Sequence, residues 1–391
     1  MEYLQPKNGN RPPSLFHLFT SFLRLGATAF GGPAMVAYIR KMAVEKNHWL
    51  DDQSARDGVA LCQTIPGATA MQMSAYAGLK ARGVAGAAAS FIGFGLPAFL
   101  FMMILSVLYA RTHTLPSVVS VLNGLQAIVV ALVANATLSF GRTSIKNWRN
   151  VINALIAAGL FGLKVSPILV IIVAALLGAT LYKKQPLVPA GSLLNKSHAP
   201  KSLFVILSAT VIGFGVLYFL NRKLFDLATL MFRIDLFAFG GGFASVPLMF
   251  HEVVEVRQWL DGSTLLNGIA LGQVTPGPIV ITATFIGYLL KGTLGGLIAT
   301  ISVFLPSFMM VVGIVPYFDR LRSSPYFNKV ITGILCSFVG LLLAVTIRFA
   351  LDINWNFPRI LLSGAAFVAL ILKVDILWVV LIGTVISLIV L

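Results

Sequence analysis

RLGATAFGGP (24–33) returns as RIDLFAFGGG (233–242), with Arg24 matched to Arg233, Phe30 to Phe239, Gly31 to Gly240 and Gly32 to Gly241 at a shift of 209 residues. Working outward, EKNHWLD (45–51) pairs with EVRQWLD (255–261), and Gln63-x-x-Pro66-Gly67 with Gln273-x-x-Pro276-Gly277, at a shift of 210. The shift returns to 209 where Pro97 meets Pro306, Gly124 meets Gly333, and Leu163-Lys164-Val165 meets Leu372-Lys373-Val374. Matches kept in this order mark an internal duplication. The first repeat covers 14–182 and the second 223–391, with 183–222 as the connection.

With 58% of its 391 residues hydrophobic and 11% charged, the chain carries far more apolar surface than a water-soluble fold can hide. Stretches such as 84–108, 118–140, 203–220 and 330–347 are nearly free of charge and approach the ~20 residues a membrane-crossing helix needs. The expected fold is an all-α polytopic membrane protein with two homologous halves of about six transmembrane helices each. A lone linker helix near 203–220 makes the count odd and predicts inverted repeats. If 151–163 and 165–182 formed one tilted helix, the repeats would instead be parallel. Loop cations Arg142, Lys146, Arg149, Lys183, Lys184, Lys196 and Lys201 place the N-terminus inside, opposed by Arg40, Lys41, Lys46 and Arg56. Thirteen spans with the C-terminus outside are expected in the cytoplasmic membrane.

The net charge of +16 is spread over short connections, which fits membrane orientation and argues against nucleic acid as a partner. Cys62 and Cys336 lie far apart in apolar segments, and no spacing predicts a metal site or a cofactor. No catalytic cluster is readable, so the chain is not expected to be an enzyme.

Chemistry is expected where the spans are interrupted. Gly31-Gly32-Pro33, Gly240-Gly241-Gly242, Pro66-Gly67 and Pro276-Gly277-Pro278 break apolar segments at matched points. Inside a bilayer such breaks are tolerated where backbone is buried in protein or lines a wet cavity. Each frees N–H groups at the start of the next half-helix, which favour an anion. Glycine alone also serves close helix approach, but recurrence with proline in both copies favours breaks.

Arg24 and Arg233 stand shortly before the glycine breaks and offer a planar fork of donors suited to a tetrahedral oxyanion. Snorkelling is the alternative for Arg24, and an ion pair with Asp235 or Asp226 is the alternative for Arg233. Gln63, Thr64, Thr69, Gln273 and Thr275 flank the Pro-Gly breaks and can donate hydrogen bonds. Together with Phe30, Gly31, Gly32, Pro66, Gly67, Phe239, Gly240, Gly241, Pro276 and Gly277 they form the candidate binding set. Glu45, Asp51, Glu255 and Asp261 are candidates for coupling or gating, or for solvated loop charges and salt bridges. His251 and Lys41 occupy corresponding positions.

The FGGP motif at Phe30–Pro33, the E-x-x-x-W-L-D segment and Q-x-x-P-G, present in both halves, resemble those of the chromate ion transporter family in its two-domain form. The resemblance implies a secondary transporter that expels chromate, with sulfate as its structural mimic. Gly242 in place of Pro33, and Pro278 in place of Ala68, imply that the halves are not equivalent. Chromate and sulfate are both tetrahedral dianions, so the residues alone do not choose between them. The expected partners are one of these oxyanions and membrane lipid, with a homodimer as the oligomeric option. A carrier of another oxyanion and a membrane scaffold that moves no solute are the competing readings.

Overall fold

The computed structural model describes residues 12–30, 33–182, 199–318, 321 and 323–391. All the regular elements among these are helical. Two compact units form, and each draws segments from both repeats. The first comprises Met1–Met103, Val188–Gly242 and Thr275–Ser323, and the second Ile104–Leu187, Phe243–Val274 and Ser324–Leu391.

In the first unit, α1 (Leu15–Thr28) starts on Ser14, whose side chain accepts the N–H of His17 at 3.0 Å. After the first break, α2 (Pro33–Arg40) runs on as a π-helical stretch, Lys41–Lys46. Trp49 then stacks on Phe22 with ring centroids 6.1 Å apart and meets His17 edge-on at 5.7 Å. At about 1.5 Å of rise per residue, one continuous rod would hold these rings tens of ångströms apart. Between Phe22 and Trp49 the chain therefore turns back on itself.

The next segment repeats the device. α3 (Asp52–Thr64) is capped by Asp51, and α4 (Thr69–Thr112) bends sharply at Arg82 and Gly83 into limbs 69–81 and 84–112. Tyr76 donates its hydroxyl to the carbonyl of Ser54 at 3.0 Å, which brings the short limb back along α3. Ser90 donates to the carbonyl of Ser74 at 2.7 Å, which folds the long limb onto the short one. The second repeat copies this bend in α12 (Thr282–Ile314), at Lys291 and Gly292, with the Thr284 and Thr300 hydroxyls 2.6 Å apart across it. α8 (Ala199–Leu220) and α9 (Arg222–Leu236) pack with α12.

The second unit holds α5 (Pro116–Ser144), α6 (Trp148–Gly162), α7 (Pro167–Leu181), α10 (Ser245–Met249), α11 (Gly262–Val274), α13 (Pro325–Asp352), α14 (Phe357–Ile371) and α15 (Ile376–Val390). Arg149 at the start of α6 donates to the carbonyl of Leu181 at the end of α7 at 2.7 Å. These helices are thus an antiparallel pair turning at Leu163–Val165, not one tilted helix. The pairs are exchanged: α6 and α7 pack on α13 of the other repeat, while α14 and α15 pack on α5. Thr137 meets its own repeat-mate Thr346, with hydroxyl oxygens 3.4 Å apart, as an approximate two-fold relation requires.

Among the described residues five helices are long and apolar enough to cross a membrane. About six crossings per repeat are expected from hydropathy. In the structure the runs 15–46 and 52–81 each turn back on themselves. The linker helix α8 lies between the two repeats, as expected. Of the linker, 183–198 lies outside the described residues.

The meeting of Thr137 and Thr346 is open to test. In a variant lacking Cys62 and Cys336, Thr137→Cys with Thr346→Cys is expected to form a disulfide under mild oxidation, read as a mobility shift after proteolysis between the repeats. Pairing Thr137→Cys with a cysteine one helical turn away, at Phe349, is expected to give markedly less.

Candidate functional site

The first unit brings the breaks together by a reciprocal exchange. The N–H of Gly67, in the second break of the first repeat, donates to the carbonyl of Ala238 in the first break of the second repeat at 2.9 Å. The N–H of Gly277 donates to the carbonyl of Ala29 at 3.1 Å. Gly67 and Gly277 are repeat-mates, as are Ala29 and Ala238, so the same bond is made twice with the repeats exchanged. Each bond satisfies a carbonyl that the end of a helix leaves open, in a setting where water cannot do so.

Close approach requires glycine at these points. Gly67 has φ +121 and Gly277 has φ +108, conformations that side chains rarely adopt. A Cβ on Gly277 would fall 2.6 Å from that of Ala98, and one on Gly241 would fall 2.9 Å from the Thr69 hydroxyl. One on Gly242 would meet Ile279 at 2.9 Å, which links the two breaks of the second repeat.

The halves differ around Pro278. The N–H of Ala68 donates to the Ser307 hydroxyl at 2.9 Å, and that hydroxyl donates to Asp235 Oδ2 at 2.7 Å. In the other half the repeat-mate of Ala68 is Pro278, which has no N–H to satisfy. The repeat-mates of Ser307 and Asp235 are correspondingly Ala98 and Gly26. The three differences are one chemical change.

Between α1 and α2 lies a cavity of about 760 Å³. Arg24, Lys41 and Lys46 bring three fixed positive charges to its wall against the single carboxylate of Glu45, with His17 beside them. The α1 side ends at Thr28, the residue before Ala29, so the cavity reaches the neighbourhood of the first break. Arg24 is exposed on this wall. A second cavity, about 410 Å³ in the second unit, is lined by apolar groups such as Val130, Ile360 and Phe367, with Ser363 as a hydroxyl, and suits no oxyanion.

The other sequence candidates separate into groups. Pro66, Gly67, Gly241, Thr275, Pro276 and Gly277 are buried, while Phe30, Phe239 and Gly240 are half-buried. Gly31 and Gly32 lie outside the described residues. Thr64 turns its hydroxyl back to the carbonyl of Ala60 at 2.6 Å, and Gln63 is exposed. Arg233 is half-buried on α9, whereas Asp235 Oδ2 is engaged by Ser307.

In the second unit, Gln273 is half-buried at the end of α11. Glu255 is held by His251 at 2.9 Å and lies 3.9 Å from Arg348, whereas its repeat-mate Glu45 is exposed. Asp51 and Asp261 cap helices through the N–H groups of Ser54 at 2.7 Å and Thr264 at 2.6 Å. At the start of α3, the Ser54 N–H holds the Asp51 carboxyl below its ordinary range, and the Arg40 hydrogen bond does the same for Asp52. Sequence reasoning missed Ser307 and Gln72, and took Lys46 only as a loop cation and Asp235 only as an ion-pair partner. The signal available for Asp235 was its replacement of Gly26.

A family model described as chromate transporter matches residues 16–179 and again 225–388. The chain belongs to the chromate transporter family. It is 45% identical over 382 residues to an uncharacterized transporter of Methanocaldococcus jannaschii, covering 96% of this chain and 94% of that one. Similarity to a chromate transport protein of Cupriavidus metallidurans is 29% over 373 residues, 92% of this chain and 88% of the relative. An uncharacterized transporter of Bacillus subtilis is 32% identical over 144 residues, which is 36% of this chain and 80% of the relative, about the length of one repeat. No solved structure matches the chain. With the helical fold and its long apolar helices, family membership makes this an integral membrane protein.

Gly67→Ala tests the packing of the breaks. Left-handed backbone strain adds to collision with Ser307 and Gln72, so a loss of about 2 kcal/mol or more is expected, read as a lower melting temperature in detergent. Gly159→Ala, with open space around it inside α6, is expected to be neutral or slightly stabilising.

Proposed function

We propose that this protein is a secondary transporter that moves chromate across the cytoplasmic membrane, outward and at the expense of an ion gradient. The observation that carries the reading is the doubled exchange of hydrogen bonds that gathers the interrupted helices of both repeats in one unit. Beside it stands the basic cavity that ends next to one of those breaks.

A tetrahedral dianion entering the cavity meets Arg24, Lys41 and Lys46, and the guanidinium can engage two of its oxygens at once. Helix geometry supplies further donors. In α4 the first helical hydrogen bond runs from Gln72 N–H to the carbonyl of Ala68, so the N–H groups of residues 69–71 precede it and carry the positive end of the helix dipole. Movement of the broken elements against the rest of the protein then exposes the anion to each side in turn, as in other carriers built from repeats. The relative of Cupriavidus metallidurans named as a chromate transport protein supports chromate as the ion carried. Sulfate, having the same shape and charge, is expected to compete.

The test is uptake of labelled chromate by vesicles containing the full chain in known orientation. Arg24→Gln is expected to weaken chromate binding by about tenfold or more, in keeping with the loss of a charged hydrogen bond worth ~1.5–3 kcal/mol. Arg233→Gln is expected to lower flux as well. Undiminished flux in both variants would remove these arginines from the mechanism, and absence of chromate flux in the unmodified protein would remove the reading itself.

A further inference from the structure

We propose that Asp235 is a proton-binding site that couples movement of the breaks to the proton gradient, an inference that rests on the transport reading. The carboxylate is 0% exposed, and Oδ2 accepts the N–H of Ser307 at 2.9 Å and its hydroxyl at 2.7 Å. Its other oxygen, Oδ1, has no hydrogen-bond partner among the described residues. The side chain of Gln72 is equally buried, and its Nε2 donates to the carbonyl of Pro66 while Oε1 also lacks a partner. Gln72 Nε2 and Asp235 Oδ2 both stand within 3.2 Å of the point a Cβ on Gly67 would occupy. Two buried side chains that each carry an orphan acceptor thus flank one break, and a proton on Oδ1 gives Asp235 a donor in place of an unsatisfied acceptor.

The surroundings bring neutral groups to the carboxylate. In the same unit, the stretches 84–103 of α4 and 293–314 of α12 contain no ionisable side chain. On the short limb of α4, Tyr76 is turned to Ser54, and Lys80 and Arg82 lie at the bend. On α12, Lys291 is in the bend and Tyr288 stands one turn before it. α8 carries Lys201 and Tyr218 near its ends. On α9 itself, Arg222, Lys223 and Asp226 lie more than two turns away, and Arg233, two positions back, is rotated to the opposite face.

An ionised carboxylate enclosed in this way is expensive, so the packed arrangement holds Asp235 as the neutral acid. When the elements around Gly67 and Ala238 part and admit water, Oδ1–H gives its proton to a water oxygen, leaving carboxylate and hydronium. Reclosure requires a proton to be taken up again. No other covalent bond changes. The other half, with Gly26 and Ala98 at the matching positions, has no such group, which gives one proton site per chain in this position.

The test uses the full chain in vesicles with labelled chromate as the probe, together with infrared spectroscopy of the purified protein. Flux in the unmodified protein is expected to change with pH by up to about tenfold per unit for one linked proton, and Asp235→Asn is expected to make it flat. A protonated-carboxyl band is expected in the unmodified protein, absent in Asp235→Asn and shifted in Ser307→Ala. Asp235→Asn with the unmodified pH dependence would overturn the proposal. So would the lack of a carboxyl band sensitive to Ser307, which decides the matter even if Asp235→Asn fails to fold. If the unmodified protein moves no chromate, the transport reading fails, while the infrared result still shows whether Asp235 holds a proton.

Discussion

A helix interrupted inside a membrane leaves N–H and carbonyl groups that water cannot reach, and each costs several kcal/mol if unpaired. This protein resolves that demand by letting the repeats complete one another. Gly67 supplies a donor to Ala238 and Gly277 supplies one to Ala29, so neither repeat closes its own break. The exchange therefore needs two copies of the repeat. The same exchange appears in the second unit, where the short helix pairs of each repeat pack on the long helix of the other.

The exchange is unequal around Ala68 and Pro278, and that is where a buried carboxyl is found. Replacing a backbone N–H with proline at 278 removes the need for a hydroxyl, and Ala98 stands where Ser307 would be. Keeping the N–H at Ala68 brings in Ser307, and Ser307 brings in Asp235. A buried acid is a costly way to satisfy one amide, since serine alone could accept that bond. The proposed proton exchange gives this acid a role beside the break.

Much of this was legible in the residues. The repeat, its shift of 209 to 210 and the four interruptions are visible because Gly, Pro, Trp and Gln keep their order in both copies. The hairpins were not, because hydropathy registers an apolar run without its direction, and a folded pair of half-length helices reads like one crossing. Gly83 and Gly292, which make the bends, are repeat-mates and were the available clue. For Asp235, proximity in sequence pointed to Arg233, yet residues two apart face opposite sides of a helix, and the partner lies 72 positions away. The lysines of the basic cavity are similarly brought to Arg24 only by the fold.

The central claim is the doubled hydrogen bond, and it is best tested in lipid by solid-state magnetic resonance on protein labelled at glycine nitrogen and alanine carbonyl. The account predicts contacts from Gly67 to Ala238 and from Gly277 to Ala29. Continuous helices would instead place these nitrogens on the carbonyls of Gln63 and Gln273 four residues back, and that result would contradict it.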